Sequence, residues 1–149
     1  MISDTIITFG DYLLSAGGYA GIDYSFYSKN NAGTTLKMPY AFFDIVSTDY
    51  PKELHPGLFA NTTVKLVTYN KATKSPTSKE GLTEVYSKER ELVSLLQNRA
   101  FNDYLKTNPV SFLKFENING SSRYDSEIAG TGNATIVSEI MFNVIWYFQ

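Results

Sequence analysis

Residues 135–149, TIVSEIMFNVIWYFQ, alternate almost without fault. Ile136, Ile140, Phe142, Val144, Trp146 and Phe148 fall on one side, interrupted only by Ser138. Val137, Glu139, Met141, Asn143, Ile145, Tyr147 and Gln149 fall on the other. A period of two is the signature of a β-strand, here with one apolar and one mixed face. A strand so long and apolar would template unwanted pairing at an open edge. Its expected place is therefore the interior of a sheet.

The segments before it supply the rest of such a sheet. SDTIITFGDYLLSAGG (3–18) continues a helical spacing of Ile2, Ile6, Phe9 and Leu13, with Ser3 or Asp4 as cap and Gly17-Gly18 as terminator. Gly10 in its middle weakens it by about 1 kcal/mol relative to alanine. GIDYSFYSK (21–29) alternates as a strand, Asn30-Asn31-Ala32-Gly33 is turn chemistry, and LKMPYAFFDIVS (36–47) is a second strand. Pro39 there marks a strand start or an edge position. Residues 48–61 break the pattern with two prolines and a glycine, yet carry Tyr50, Leu54, Leu58 and Phe59. NTTVKLVTYNK (61–71) is a strand with Val64 and Leu66 opposite Lys65 and Val67. Ser75-Pro76 then begins a helix or turn.

GLTEVYSKERELVSLLQNRAFNDYLKTN (81–108) reads as one long central helix. Leu82, Val85, Tyr86, Leu92, Val93 and Leu96 form its apolar side, which Phe101, Tyr104 and Leu105 continue past a kink near Asn98. Glu84 and Lys88 form a supporting i,i+4 pair, and Asn108-Pro109 ends the helix. SFLKFENI (111–118) and SRYDSEIAG (122–130) make one arm with Asn119-Gly120 as a turn, and the final strand returns antiparallel after GTGN (130–133). The expected fold class is α+β: a single domain, 1–149, with a mainly antiparallel sheet and an N-terminal helix and one long central helix packed on it.

Composition narrows the function. Charged residues make up 19% and the net charge is −2, without the basic run that direct nucleic-acid binding needs. No apolar stretch is long enough for a membrane span, and the acidic start lacks a signal peptide's basic region, so a protein made and kept in a cytoplasm is expected. Three Asn-x-Ser/Thr sequons, at Asn61, Asn119 and Asn133, are read as chance. Cysteine is absent, which excludes disulfides and thiolate chemistry. Aromatic residues reach 15%, the one compositional departure; they suit strands and contact surfaces alike.

Reactive constellations are thin. The single histidine, His55, is a loop residue on which any histidine-based triad or metal site would have to rest alone. Asp44 with Asp49, or Glu116 with Asp125, could be drawn as acid/base couples, but nothing in their spacing separates them from surface acids. GTGNAT lacks the Lys-Ser/Thr ending of a phosphate loop and AGGYAG follows a helix, the wrong order for a dinucleotide fingerprint. No catalytic residue, metal or cofactor is expected. Binding or assembly is.

The succession of elements resembles the tail terminator and tail completion proteins of long-tailed bacteriophages, small α+β proteins that form rings at the head–tail junction. The likeness runs through the N-terminal helix ISDTIITFGDYLLSAG, the proline-introduced strand MPYAFFDIVS, the long strand TTVKLVTYN, the helix ELVSLLQNRAFNDYL and the closing pair FLKFENINGSSRYDSEIAG and TIVSEIMFNVIWYFQ. Two features depart from it: the apolar 48–61 loop and the strand at 21–29. The resemblance implies a structural virion protein assembled in the host cytoplasm. It also implies a homo-oligomeric ring of about six or twelve copies, closed by heterologous contacts and docked to other neck, tail or portal proteins. Tyr50, Leu54, Leu58, Phe59, Met141 and Tyr147 are the candidate subunit or partner contacts. A non-enzymatic binding module, for carbohydrate or a host protein, is the alternative.

Overall fold

The alternation at the end of the chain becomes a strand, β5 (Thr135–Tyr147), in the interior of the sheet. The computed structural model describes residues 2–25, 37–51, 59–107, 111–125 and 135–147. On one side β5 pairs antiparallel with β3 (Phe59–Lys71), in unbroken register from Phe59 opposite Tyr147 to Lys71 opposite Thr135. On the other it pairs antiparallel with β4 (Phe112–Asp125). Beyond β3 lies β2 (Tyr40–Asp49), and beyond that the three-residue β1 (Gly21–Asp23), which runs parallel to β2. The order is β1-β2-β3-β5-β4, a mixed sheet with a single short parallel pair.

Three helices cover one face: α1 (Ile2–Ser15), α2 (Lys79–Leu96) and α3 (Arg99–Thr107). The hub of the core is Phe9 of α1, whose ring stands 5.2 Å from Phe43, 5.1 Å from Phe101, and 6.1 Å from both Phe115 and Phe142. Ile6, Leu13, Val64, Leu66, Leu92, Leu96, Leu105, Ile140 and Val144 close around it. Each such burial stabilises by roughly 1.5–3 kcal/mol, so this layer dominates the fold. Gly10 of α1 is accounted for by close approach: a Cβ there would meet the ring of Tyr24, the residue after β1. At the helix end the Gly17 amide donates back to the Tyr12 carbonyl and Gly18 takes a φ of +75°, the left-handed termination glycine permits.

The one long central helix does not form. Asn98 breaks it, because its side chain competes with the helical backbone. Asn98 Oδ1 accepts from the Phe101 amide at 3.0 Å and so caps α3. The Asn102 amide group meanwhile donates to the carbonyls of Leu96 (2.9 Å) and Asn98 (2.7 Å), satisfying the end of α2. Among the described residues the longest helix, α2, has 18 residues. The change of direction lets both α2 and α3 bury an apolar face, with Phe101 and Leu105 enclosed.

Other boundaries also differ. Ser3 and Asp4 lie inside the first turn of α1 and not before it. Of the strand expected over 21–29 only Gly21–Asp23 forms among the described residues: Tyr24 and Ser25 bend away, and 26–29 lie outside them, as do the turn at 30–33 and GTGN. Pro39 directly precedes β2, at a strand start. Asn119-Gly120 is not a turn: β4 runs straight through it, with a register shift between Glu116 and Asn119. Asn117 takes a φ of +52° there, a left-handed conformation asparagine tolerates, and its carbonyl accepts from Asn119 Nδ2. On α2, Leu82 and Tyr86 were expected in the apolar face but are 62% and 46% exposed. Glu84 does not pair with Lys88, which instead bridges Glu91 at 3.6 Å.

Candidate assembly surface

Phe59, Met141 and Tyr147, three of the six expected contact residues, fall on the sheet face opposite the helices. Register fixes its layout, because residues facing each other across paired strands share a side. Five rows cross β3, β5 and β4 in turn: Asn61–Ile145–Lys114, Thr63–Asn143–Glu116, Lys65–Met141–Asn119, Val67–Glu139–Ser121 and Tyr69–Val137–Arg123. Beyond the first row, Phe59 and Tyr147 face each other with ring centroids 4.8 Å apart. Both rings and Met141 are exposed. Truncating an aromatic pair of this kind costs about 0.5–1.5 kcal/mol beyond area, modest beside the core.

The middle of this face is polar and shallowly concave. A depression of about 420 Å³ is lined by Thr63, Lys65, Asn119, Ser121, Glu139 and Asn143, among others. Glu139 sits between Lys65 at 3.6 Å and Arg123 at 3.8 Å, while Thr63 Oγ1 donates to Asn143 Oδ1 at 3.1 Å. Exposed pairs of this kind contribute between nothing and about 1 kcal/mol each, so they orient side chains more than they stabilise. The far end is apolar again: Phe42, Val67, Tyr69 and Val137 form a second small cluster with Met38 and Tyr40 packed on it. Burial pushes the Tyr69 hydroxyl up; Arg123 opposes that, and Glu139 and Asp125 reinforce it.

Of the six residues singled out from sequence, the structure brings Phe59 and Tyr147 into contact and puts Met141 on the same face. That methionine is six residues along β5 from Tyr147, roughly 20 Å at strand rise. Tyr50 is exposed at the same end of the sheet but turns edge-on to Trp146, 6.3 Å away, on the helix side. Leu54 and Leu58 lie outside the described residues, as does His55. The polar middle was missed. Lys65 and Glu139 are 74 positions apart, and only the pairing register of β3 with β5 joins them; the one local signal was that Lys65 alternates with the core residues Val64 and Leu66.

The acid pairs considered for catalysis do not converge. Glu116 bridges Lys114 at 2.7 Å, and Asp125 lies nine residues further along β4, roughly 30 Å away. Asp44 and Asp49 are opposite Lys65 and Asn61, separated by half of β2. Among the described residues no three His, Asp or Glu side chains gather as metal ligands, and no helix is long and apolar enough to cross a membrane. No protein-family model matches the chain, and no curated protein matches it.

Proposed function

We propose that this chain is a structural assembly protein that works as a closed ring at the head–tail junction of a long-tailed bacteriophage, where the ring terminates the tail or joins it to the portal. The observation that carries the reading is the sheet face with β5 along its middle. The described helices all lie on the other side, and this face ends in the exposed Phe59–Tyr147 pair. Exposed Phe, Tyr and Met side chains are enriched in protein contacts relative to the rest of a protein's surface. Held between β3 and β4, β5 is also well placed to bear load from an adjoining ring, since both its backbone edges are already paired. The element order adds the resemblance to tail terminator and completion proteins. In this reading the copies repeat a heterologous contact that closes by rotation, and the open sheet face docks the adjoining neck, tail or portal protein.

Negative-stain electron microscopy of the purified chain at high concentration tests this. Closed rings of one diameter are the expected result. Filaments without closure, or symmetric dimers as the largest species, would overturn it.

A second reading rests on the depression around Thr63, Asn119, Ser121 and Asn143, whose hydroxyls and amides could hold a polar ligand such as a glycan. The exposed rings Phe59 and Tyr147 lie beyond Ile145 from this depression, so stacking on a sugar face is not built into it. Binding in a glycan screen that is lost in Asn143→Ala would favour this second reading.

A further inference from the structure

We infer that two copies of this chain join edge to edge along β4, antiparallel about a two-fold axis at Gly120, so that one sheet runs through both. The inference goes beyond the ring reading and does not rest on it. Added to a heterologous ring contact, such a two-fold contact joins two rings back to back.

β4 is an outer strand, and its far side has no partner strand among the described residues. Which of its backbone groups point there follows from one bond. The Tyr147 amide donates to the Ser111 carbonyl at 2.8 Å, so the odd-numbered residues of β5 direct their backbone groups toward β4. The β4 residues opposite them, such as Asn119, Ser121 and Arg123, bond inward. Those opposite the even-numbered residues, Phe115, Gly120, Ser122 and Tyr124, present theirs to the outside. At mid-strand Asn119, Gly120 and Ser121 are all exposed. An open row of donors and acceptors is a template for another strand.

The side chains along this edge decide which strand fits. On the open face β4 carries Lys114, Glu116, Asn119, Ser121, Arg123 and Asp125 in that order. Gly120 is opposite Ile140. Glu116 and Arg123 are opposite Asn143 and Val137, three residues to either side of Ile140, and Lys114 and Asp125 are opposite Ile145 and Thr135, five to either side. A two-fold axis at Gly120 therefore sets Glu116 against Arg123 of the other copy, and Lys114 against Asp125. The bulge at 117–118 falls against Ser122 and leaves both halves in step. Slipping two residues one way would set Lys114 against Arg123, and the other way Glu116 against Asp125, so like charges oppose both. Slipping by one would set the open face of one copy against the helical face of the other. β4 is complementary to its own reverse in this register, which is why its partner is a second copy. Within one copy Lys114 meets Glu116 at 2.7 Å and Arg123 meets Glu139 at 3.8 Å, exposed contacts whose remaining donors and acceptors the second copy shares.

The helical layer offers a second strip beside the same edge. Glu89 of α2 stands over Gly120, where a Cβ would meet its carboxylate, and accepts from Ser122 Oγ at 3.2 Å. At about 100° per residue, the order around α2 runs from the buried Leu92 through Glu89 to Leu82 and then Tyr86. Leu82 and Tyr86 thus lie past Glu89, on the side of the free edge, and both are exposed. Across the axis they approach the same residues of the second copy, which accounts for an apolar periodicity that one copy leaves in solvent. The one like-charged approach is between the two Glu89 carboxylates above the axis.

Charge reversal tests the register. Glu116→Arg alone sets arginine against Arg123 of its own kind, and Arg123→Glu alone sets glutamate against Glu116, so each should self-associate about tenfold more weakly than the native chain in sedimentation velocity. Mixed together the two variants present opposite charges again and should form a heterodimer, which a folding defect in either could not produce. Glu89→Gln, which keeps the acceptor for Ser122, should tighten the native pair about threefold. The absence of cysteine allows a covalent check: an oxidised mixture of Asn119→Cys and Ser121→Cys should give a disulfide-linked dimer, and neither variant alone should. Single charge variants that associate like the native chain, a mixture that stays monomeric, or a Glu89→Gln pair no tighter than native would each overturn the contact. Rings without the 119–121 crosslink would overturn it and leave the ring reading standing. Crosslinked dimers without rings would support the contact and overturn the ring.

Discussion

The indole N–H of Trp146 donates to Thr62 Oγ1 at 2.9 Å, and Thr62 shares a second hydrogen bond, 3.0 Å long, with the Thr48 hydroxyl. One buried polar chain thus ties β5 to β3 and β3 to β2 beneath the helices. Thr62 is fully enclosed and Trp146 nearly so. Losing one partner strands the other in a low-dielectric interior, which costs about 1–3 kcal/mol. Thr62→Val should therefore lower the urea-unfolding free energy by roughly that amount. In a double-mutant cycle with Trp146→Phe the second loss should be smaller than the first. Strict additivity would mean the bond contributes nothing.

The carboxylate of Glu84 fastens the β3–α2 connection to its helix. It accepts from the Thr73 amide at 3.0 Å, from the Lys74 amide at 3.1 Å, and from the Thr73 hydroxyl. Burial pushes its pKa up, but the bonds from the Thr73 hydroxyl and the Lys74 and Thr73 amides outweigh it, with Tyr124 adding to them, and hold it below the ordinary 4.5. A depressed carboxylate stabilises the fold above its unfolded value and loses that contribution as pH falls through the folded one. The melting temperature of the native chain should exceed that of Glu84→Gln at pH 6, and the gap should close on acidification below 4.5. A gap independent of pH would show that the latch does not act through its charge.

Tyr19 should be among the last of the eleven tyrosines to ionise. Burial drives its hydroxyl up to about 12; Thr68 and Asn70 pull it slightly the other way, with Glu91 reinforcing the rise. Thr68 Oγ1 and Asn70 Nδ2 are themselves buried and complete no hydrogen bond of good geometry among the described residues. A raised tyrosine keeps the fold stable below its unfolded value of 10 and withdraws that stability as pH rises toward 12, by about 1.4 kcal/mol per pH unit. Ultraviolet titration should show a late step that Tyr19→Phe removes, together with part of the alkaline destabilisation. A late step that survives in Tyr19→Phe would assign it to another ring.

Phe59→Ser/Tyr147→Ser removes the exposed ring pair from the open sheet face. Because neither ring is in the core, unfolding free energy should fall by only about 1–2 kcal/mol and the circular-dichroism spectrum should be unchanged. Rings of this variant should still close, but should no longer stack or dock face-on. Loss of ring closure itself would move the subunit contact onto the sheet face.

What was readable in the sequence was what periodicity encodes. Ile6, Phe9 and Leu13 of α1, and the β5 line from Ile136 to Trp146, face the core as their spacing demands, because burial of one face is a local pattern with a fixed period. The central helix was misread because Asn98 acts through its side chain: hydropathy carries across 96–101 while the backbone does not. Asn119-Gly120 was misread for the converse reason, since a bulge and a turn draw on the same residues. The candidate assembly surface was legible only in Phe59, Met141 and Tyr147. The neighbours of Phe59 and Met141 across the sheet follow from register, which no single segment contains.

The most direct test of the ring is sedimentation velocity on the native chain over a wide concentration range. A ring predicts two boundaries, the 16.7 kDa monomer and one discrete species at a fixed multiple of it, the second growing with concentration at constant sedimentation coefficient. A boundary that stays monomeric throughout, or that shifts continuously upward without a limiting size, would contradict it.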